Sequence, residues 1–149
     1  MIDLNRTTFK NHDFAHLVAA LDKDLAQRDG EEHSFYDQFN SIEGLHHAVV
    51  AYSKGKPVGC GAIKEFSSDS IEVKRMYVLP EFRGKGVASQ LLTELEDWAA
   101  ALGYTHCVLE TGKRQPEAIA LYKKNGYKTI VNYGQYVGVV NSVCFCKEL

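Results

Sequence analysis

The 149-residue chain has no apolar run approaching the roughly 20 residues that a membrane-spanning helix needs. That absence argues against a membrane protein. Its first ten residues, MIDLNRTTFK, carry no apolar segment behind a basic start, so no secretory signal is expected there. Cysteines number four, and none stands in a C-x-x-C pair. Cys60, Cys107, Cys144 and Cys146 all lie in apolar, strand-like runs. Buried, reduced thiols are expected, which favours the cytoplasm over an oxidising compartment. An excess of positive charge is missing as well: 17 Lys and Arg face 19 Asp and Glu. Nucleic acid therefore finds no electrostatic footprint. His46, His47 and His106 share no metal-ligand spacing, and no metal is expected. Internal repeats, low-complexity tracts and Pro/Gly/Ser linkers are absent too.

What remains is an ordinary globular composition, 45% hydrophobic and 24% charged, of a length that fits one domain over residues 1–149. Charge is uneven along it. Residues 1–70 hold 7 Lys/Arg and 11 Asp/Glu, whereas residues 71–149 hold 10 and 8. The basic excess falls in the second half, where an anionic ligand would find it. Apolar spacing predicts a helix over 13–30, with Phe14, Leu17, Val18, Leu21 and Leu25 on one face and Gly30 as its stop. Residues 31–44 are polar and aromatic, with room for a second, short helix. HHAVVAY and PVGCGAIKEF read as a hairpin around SKGK, and SIEVKRMYV as a third strand. From Val87 one apolar face runs through Leu91, Leu92, Leu95, Trp98, Ala99 and Leu102, and Gly103 suits a left-handed terminator. HCVLET is the next strand. Pro116 opens a helix that Gly126 closes, and the tail ends in a strand. The expected order is helices, a β-meander, then strand–helix–strand–helix–strand. Two strands joined through a helix must be parallel, so the sheet is mixed.

One stretch asks for a ligand. In MYVLPEFRGKGVASQLL a strand ends near Pro80, a basic glycine turn follows, and a helix begins. Glycines in such a turn let backbone N–H groups converge on phosphate oxygens, and the helix dipole adds attraction. A nucleotide P-loop would need G-x-x-x-x-G-K-[ST], which is absent. A dinucleotide fingerprint would need a third glycine where Ser89 stands, and more strand–helix repeats than the chain supplies.

Arg83-Gly84-Lys85-Gly86-Val87-Ala88 resembles the (Arg/Gln)-x-x-Gly-x-(Gly/Ala) loop of the GNAT superfamily of N-acetyltransferases. About thirty residues on, QPEAIALYKKNGYK is similar to that family's second signature, a helix with Ala-x-x-Leu-Tyr followed by Gly-aromatic. The resemblance implies an α/β (α+β) fold: a mixed, mostly antiparallel sheet with helices on both faces. Its central parallel pair, the strand ending at Val78 and the strand at residues 107–110, would splay apart. It implies acetyl-coenzyme A as acetyl donor. Pantetheine would lie along Met76, Tyr77 and Val78. The pyrophosphate would rest on Arg83, Gly84, Lys85, Gly86, Val87, Ala88 and Ser89, with Thr111, Ala118 and Tyr122 completing the cofactor contacts. The acceptor would be a primary amine of a small molecule or peptide, and a homodimer paired through C-terminal strands is compatible with the family. A non-catalytic acyl-coenzyme A sensor and a nucleotide-binding redox domain are the competing readings.

Amine acetylation needs a base for the amine, polarisation of the carbonyl and an acid for the departing thiolate. Tyr122 matches the family's general acid, and a phenol stays protonated at neutral pH. Glu72, on the strand leading to the loop, is the first candidate for the base, and Glu110, ending the neighbouring strand, the second. Residues 28–39 offer Asp29, Glu31, Glu32 and Asp37 interleaved with Phe35, Tyr36 and Phe39, and residues 132–138 add Tyr133 and Tyr136. Carboxylates with aromatic faces suit a cationic acceptor.

Overall fold

The computed structural model describes residues 1–37 and 41–149, apart from the side chains of residues 34 and 37. Among the described residues, seven strands form one sheet in the order β1-β2-β3-β4-β5-β7-β6. They are β1 (Ile2–Thr7), β2 (His47–Ser53), β3 (Lys56–Glu65), β4 (Ser70–Val78), β5 (His106–Gly112), β6 (Lys128–Ile130) and β7 (Ser142–Glu148). The helices are α1 (His12–Asp29), α2 (His33–Asp37), α3 (Val87–Ala101) and α4 (Pro116–Lys124). Every strand pair is antiparallel except β4 with β5. The mixed sheet expected from the sequence is thus present. The N-terminal strand is an addition to that expectation. β1 pairs with β2 along its whole length, and Ile2 and Leu4 are its apolar contribution to the core.

Two cores sandwich the sheet. On one face α3 lays Leu91, Leu92, Leu95 and Ala99 against Val49, Ala51, Ile63 and Ile71. On the other, α1 buries Phe14, Leu17 and Val18 against Ala48, Val50, Cys60 and Ala62. Asn11 starts α1 by accepting the Phe14 N–H at 2.9 Å on its side-chain oxygen. The close seat of α3 depends on Gly61. A Cβ there would meet Sδ of Met76 at 2.5 Å and Cδ1 of Leu95 at 2.8 Å. Cys60, Cys107 and Cys144 are buried and Cys146 is half-buried, all four as free thiols.

Two departures from regularity shape the centre. β4 and β5 pair only at Ser70–His106, Ile71–Cys107 and Glu72–Val108, and then separate. Beyond Glu72 the edge of β4 that faces β5 has no strand paired to it. The second is a bulge. Between Cys60–Tyr77 and Ala62–Lys74 the register slips, leaving Arg75 and Met76 opposite Gly61. Arg75 takes a left-handed φ of 58°, which costs a non-glycine residue on the order of 1 kcal/mol. Its buried guanidinium is held by Asp22 of α1.

Candidate functional site

The gap between β4 and β5 opens into two adjoining cavities. The larger, about 390 Å³, runs between the β4 end, the glycine turn, the start of α3 and one face of α4. Met76, Tyr77, Val78, Arg83, Gly84, Gly86, Val87, Ala88, Ser89, Ala118 and Tyr122 line it. The smaller, about 110 Å³, lies beside Asp29, Tyr36, Glu72, Lys74, Glu110, Thr111 and Tyr136. Leu21, Met76, Gln115, Ala118 and Tyr122 border both, so the two communicate there.

The turn at the mouth of the larger cavity suits an anion. Gly84 and Gly86 have φ of 76° and 82°, and a Cβ on either would meet nothing within 4 Å. The positive φ favours glycine, and the open space leaves the backbone of the turn accessible to a ligand. Gly86 begins α3 without a side-chain cap, and the first turn of that helix holds no acidic residue. Its leading N–H groups and the positive end of its dipole therefore face the opening. Arg83 donates from Nε to the Val78 carbonyl at 2.8 Å and lies over the Tyr77 ring. Lys85 is not among the lining residues; its Nζ sits over the ring of Phe82. Thr111, expected with the cofactor contacts, lines the smaller cavity instead. Asn125, not signalled by the sequence, ends α4 and donates to Oγ of Ser89 at 3.2 Å, bracing the two helices across the cleft.

At the junction Tyr122 is 6% exposed, held by edge-on contact with Tyr127 and a tilted contact with Phe145. Its hydroxyl makes no hydrogen bond among the described residues. Burial, and then the charge of Glu110, push its phenol above the ordinary range, so it remains a proton donor throughout the neutral range.

The smaller cavity is acidic. Glu72 accepts a 2.6 Å hydrogen bond from the Tyr133 hydroxyl and lies 3.6 Å from Lys74 Nζ. Glu110 is different. Oε2 is buried without a hydrogen-bond partner among the described residues. Burial chiefly, and the charges of Glu72 and Asp29, push its carboxyl up to about 7, against the opposing pull of Ser142 and Lys74. Asp29, 5% exposed, stands at the end of α1, where the helix dipole disfavours a carboxylate; burial raises its pKa as well. Tyr36 stacks on Tyr136 and shares a 3.0 Å hydrogen bond with Ser142. Glu31 is exposed and Glu32 pairs with Arg114, so these two expected carboxylates lie outside the cavity. The expectations for Phe39 and for the Asp37 side chain fall outside the described residues.

Known proteins resemble this arrangement. A family model described as the acetyltransferase (GNAT) family matches residues 13–127. Over 89 residues the chain is 43% identical to an IAA acetyltransferase from Azospirillum brasilense, covering 59% of this chain and 58% of that protein. The match thus spans little more than half of that relative's length. A provisionally assigned acyl-CoA N-acyltransferase from Klebsiella pneumoniae superposes with a TM-score of 0.83 at 33% identity, covering 100% of this chain and 98% of the other. PaiA N-acetyltransferase from Thermoplasma acidophilum, solved in complex with coenzyme A, gives a TM-score of 0.76 at 19% identity over 100% of this chain and 99% of its own.

Proposed function

The chain belongs to the acetyltransferase (GNAT) family, and on that premise we propose that it moves an acetyl group directly from acetyl-coenzyme A to a primary amine. The observation that carries this reading is the position of Tyr122. One phenol borders both the cleft that fits the donor and the acidic cavity that fits an acceptor.

Fit to coenzyme A rests on the chain's own features. The uncapped start of α3 and the bare backbone at Gly84 and Gly86 would receive the pyrophosphate. The main chain of β4 beyond Glu72, which has no strand partner toward β5, would receive the pantetheine amides, with Met76, Tyr77 and Val78 lining that wall. A protein of the same fold was solved with coenzyme A, which supports this use of the cleft. Acetyl-coenzyme A supplies an activated carbonyl and a thiolate leaving group. Tyr122 protonates that sulfur, and a carboxylate of the smaller cavity, Glu72 or Glu110, accepts a proton from the amine. No protein thiol is required. Burial raises Cys60 to about 12 and Cys107 and Cys144 to about 11, the opposite of an activated nucleophile.

The acceptor is a cationic small-molecule or peptide amine. Asp29, Glu72 and Glu110 outweigh Lys74 in the cavity, and Arg75 is already matched by Asp22. Aromatic faces of Tyr36 and Tyr136 add cation–π attraction of roughly 0.5–2 kcal/mol. Thiol release from acetyl-coenzyme A, measured with paired neutral and cationic amines of equal size, tests the reading. Cationic amines should react with higher kcat/KM, more so at low salt. Coenzyme A binding with no thiol release from a broad amine panel would support the sensor reading instead.

A further inference from the structure

We infer that Glu110 is the residue that takes the proton from the acceptor amine: its carboxylate lines the acidic cavity that meets the cleft at Tyr122, and its Oε2 has no hydrogen-bond partner among the described residues. The inference rests on the acetyl-transfer reading above.

Among the described residues, three carboxylates line that cavity, and their surroundings separate them. Glu72 is occupied, one oxygen by the Tyr133 hydroxyl and the other by the Lys74 ammonium. Asp29, on the last turn of α1, acts on Glu110 but is not among the groups that shift Tyr122. Glu110 alone among them bears electrostatically on Tyr122. It sits on β5 two residues beyond the last pair with β4, where the strands have begun to diverge. β5 then leads through residues 113–115 into α4, which carries Tyr122. Base and acid are thereby delivered to one spot by consecutive elements. A buried carboxylate oxygen with no partner is expensive unless something is meant to meet it. An ammonium group entering from the acidic cavity meets that requirement.

The groups facing Glu110 are Asp29 from α1, Tyr36 from α2, Glu72 and Lys74 from β4, Tyr122 from α4, Tyr136, and Ser142 and Cys144 from β7. Burial with Glu72 and Asp29 nearby puts the Glu110 carboxyl at about 7, the range in which a base can both accept and release protons at neutral pH. Cys144 is raised to about 11, and the tyrosines are raised further above the neutral range, so they stay protonated where Glu110 titrates.

The transfer balances without another reactant. Oε2 of Glu110 takes a proton from the ammonium and frees the nitrogen lone pair. A C–N bond forms at the acetyl carbonyl as the C–S bond breaks, its electron pair leaving on sulfur. Tyr122 gives its proton to the sulfur and recovers one from the acylated nitrogen. Glu110 then releases its proton to solvent. Ammonium and thioester become amide, thiol and one proton.

Tyramine, putrescine and benzylamine serve as probe acceptors, with thiol release followed from pH 5.5 to 9.5. Wild type should show kcat/KM rising with pH through a midpoint near 7. Glu110→Gln should lose about 10²-fold or more at pH 7.5, and that rising limb should disappear. Glu110→Asp should recover part of the rate. Coenzyme A affinity, measured by calorimetry, should stay within threefold in both variants. Asp29→Asn should keep the limb while raising KM. An active wild type whose limb survives in Glu110→Gln but vanishes in Glu72→Gln overturns this assignment and leaves acetyl transfer standing. An acceptor-independent check covers the case in which no probe amine is turned over, where the transfer reading itself is what fails. The side-chain carboxyl carbon of Glu110, assigned by comparison with Glu110→Gln, is titrated by NMR in the coenzyme A complex. A midpoint within a unit of 7 supports the inference, and a midpoint near 4.5 overturns it.

Discussion

The hydroxyl of Tyr133 donates a 2.6 Å hydrogen bond to Oε2 of Glu72, joining residues 61 positions apart in the chain. Tyr133 is fixed in turn by edge-on contacts with Phe66 and Tyr136. The segment between β6 and β7 is thus pinned to Glu72, which lines the acidic cavity. Tyr133→Phe keeps the ring and deletes the donor, leaving Glu72 with Lys74 alone. A loss of about 1–3 kcal/mol is expected, since the acceptor is charged and largely buried. Urea denaturation of the two proteins measures it.

Gly86→Val tests the turn. The substitution forces a β-branched residue into a left-handed conformation and fills the open space beside the backbone. Affinity for coenzyme A should fall by at least about tenfold, roughly 1.4 kcal/mol, while the unfolding transition remains cooperative. Calorimetric titration and a thermal melt together decide the matter; unchanged affinity in a folded variant removes the turn from the site.

Tyr122→Phe should leave both the core and the donor affinity intact, because the ring contacts with Tyr127 and Phe145 survive. The rate of thiol release should drop by on the order of 10²–10⁴-fold. Single-turnover kinetics are the appropriate measurement. A drop of less than about threefold would reduce Tyr122 to packing.

Stability should respond to pH through Glu110. Its folded pKa, about 7, exceeds the ordinary 4.5, so between those values the folded protein binds more protons than the unfolded chain. Stability contributed by the protonated form is present below about 4.5 and is lost as pH rises through 7. Glu110→Gln should therefore be more stable than wild type at pH 8, by on the order of 1–3 kcal/mol, with the difference vanishing near pH 4. Chemical denaturation at the two pH values checks both the size and the sign.

Asp29→Asn should raise KM for cationic amines by about three- to tenfold and leave neutral amines unaffected, since one buried charge facing the acceptor is removed. Initial-rate measurements at low and high salt separate this from a general loss of activity.

Local patterns made much of the fold legible. The apolar face from Val87 to Leu102 forms α3, and Gly103 closes it with φ of 98°. Pro116 opens α4, as its fixed φ and missing N–H suit the first turn. β1 escaped notice because an edge strand with one apolar contribution at Ile2 and Leu4, followed by Asn5-Arg6-Thr7, gives almost no alternation. The loop glycines were readable because their requirement is local. The contrast between Glu72 and Glu110 was not, because it is set by distant parts of the chain. Tyr133 satisfies one carboxylate, while the other is buried without a partner for Oε2. Nor could spacing reveal that Lys85 would turn onto Phe82, or that Asn125 would reach Ser89.

Within the sheet, three register pairs join β1–β4 to β5–β7, while α3 bridges the two groups from one face through its core and through Glu96, which accepts from Tyr127 and from Lys147 of β7. The sheet is therefore a strong ladder with one weak rung-set at its middle. Amide hydrogens of β4 beyond Glu72 should exchange early on the side facing the gap, ahead of those facing β3. A molecule lying between the diverging strands would act as the missing strand, bonding to both halves at once. Its residence time and the exchange protection of the whole sheet would then rise and fall together.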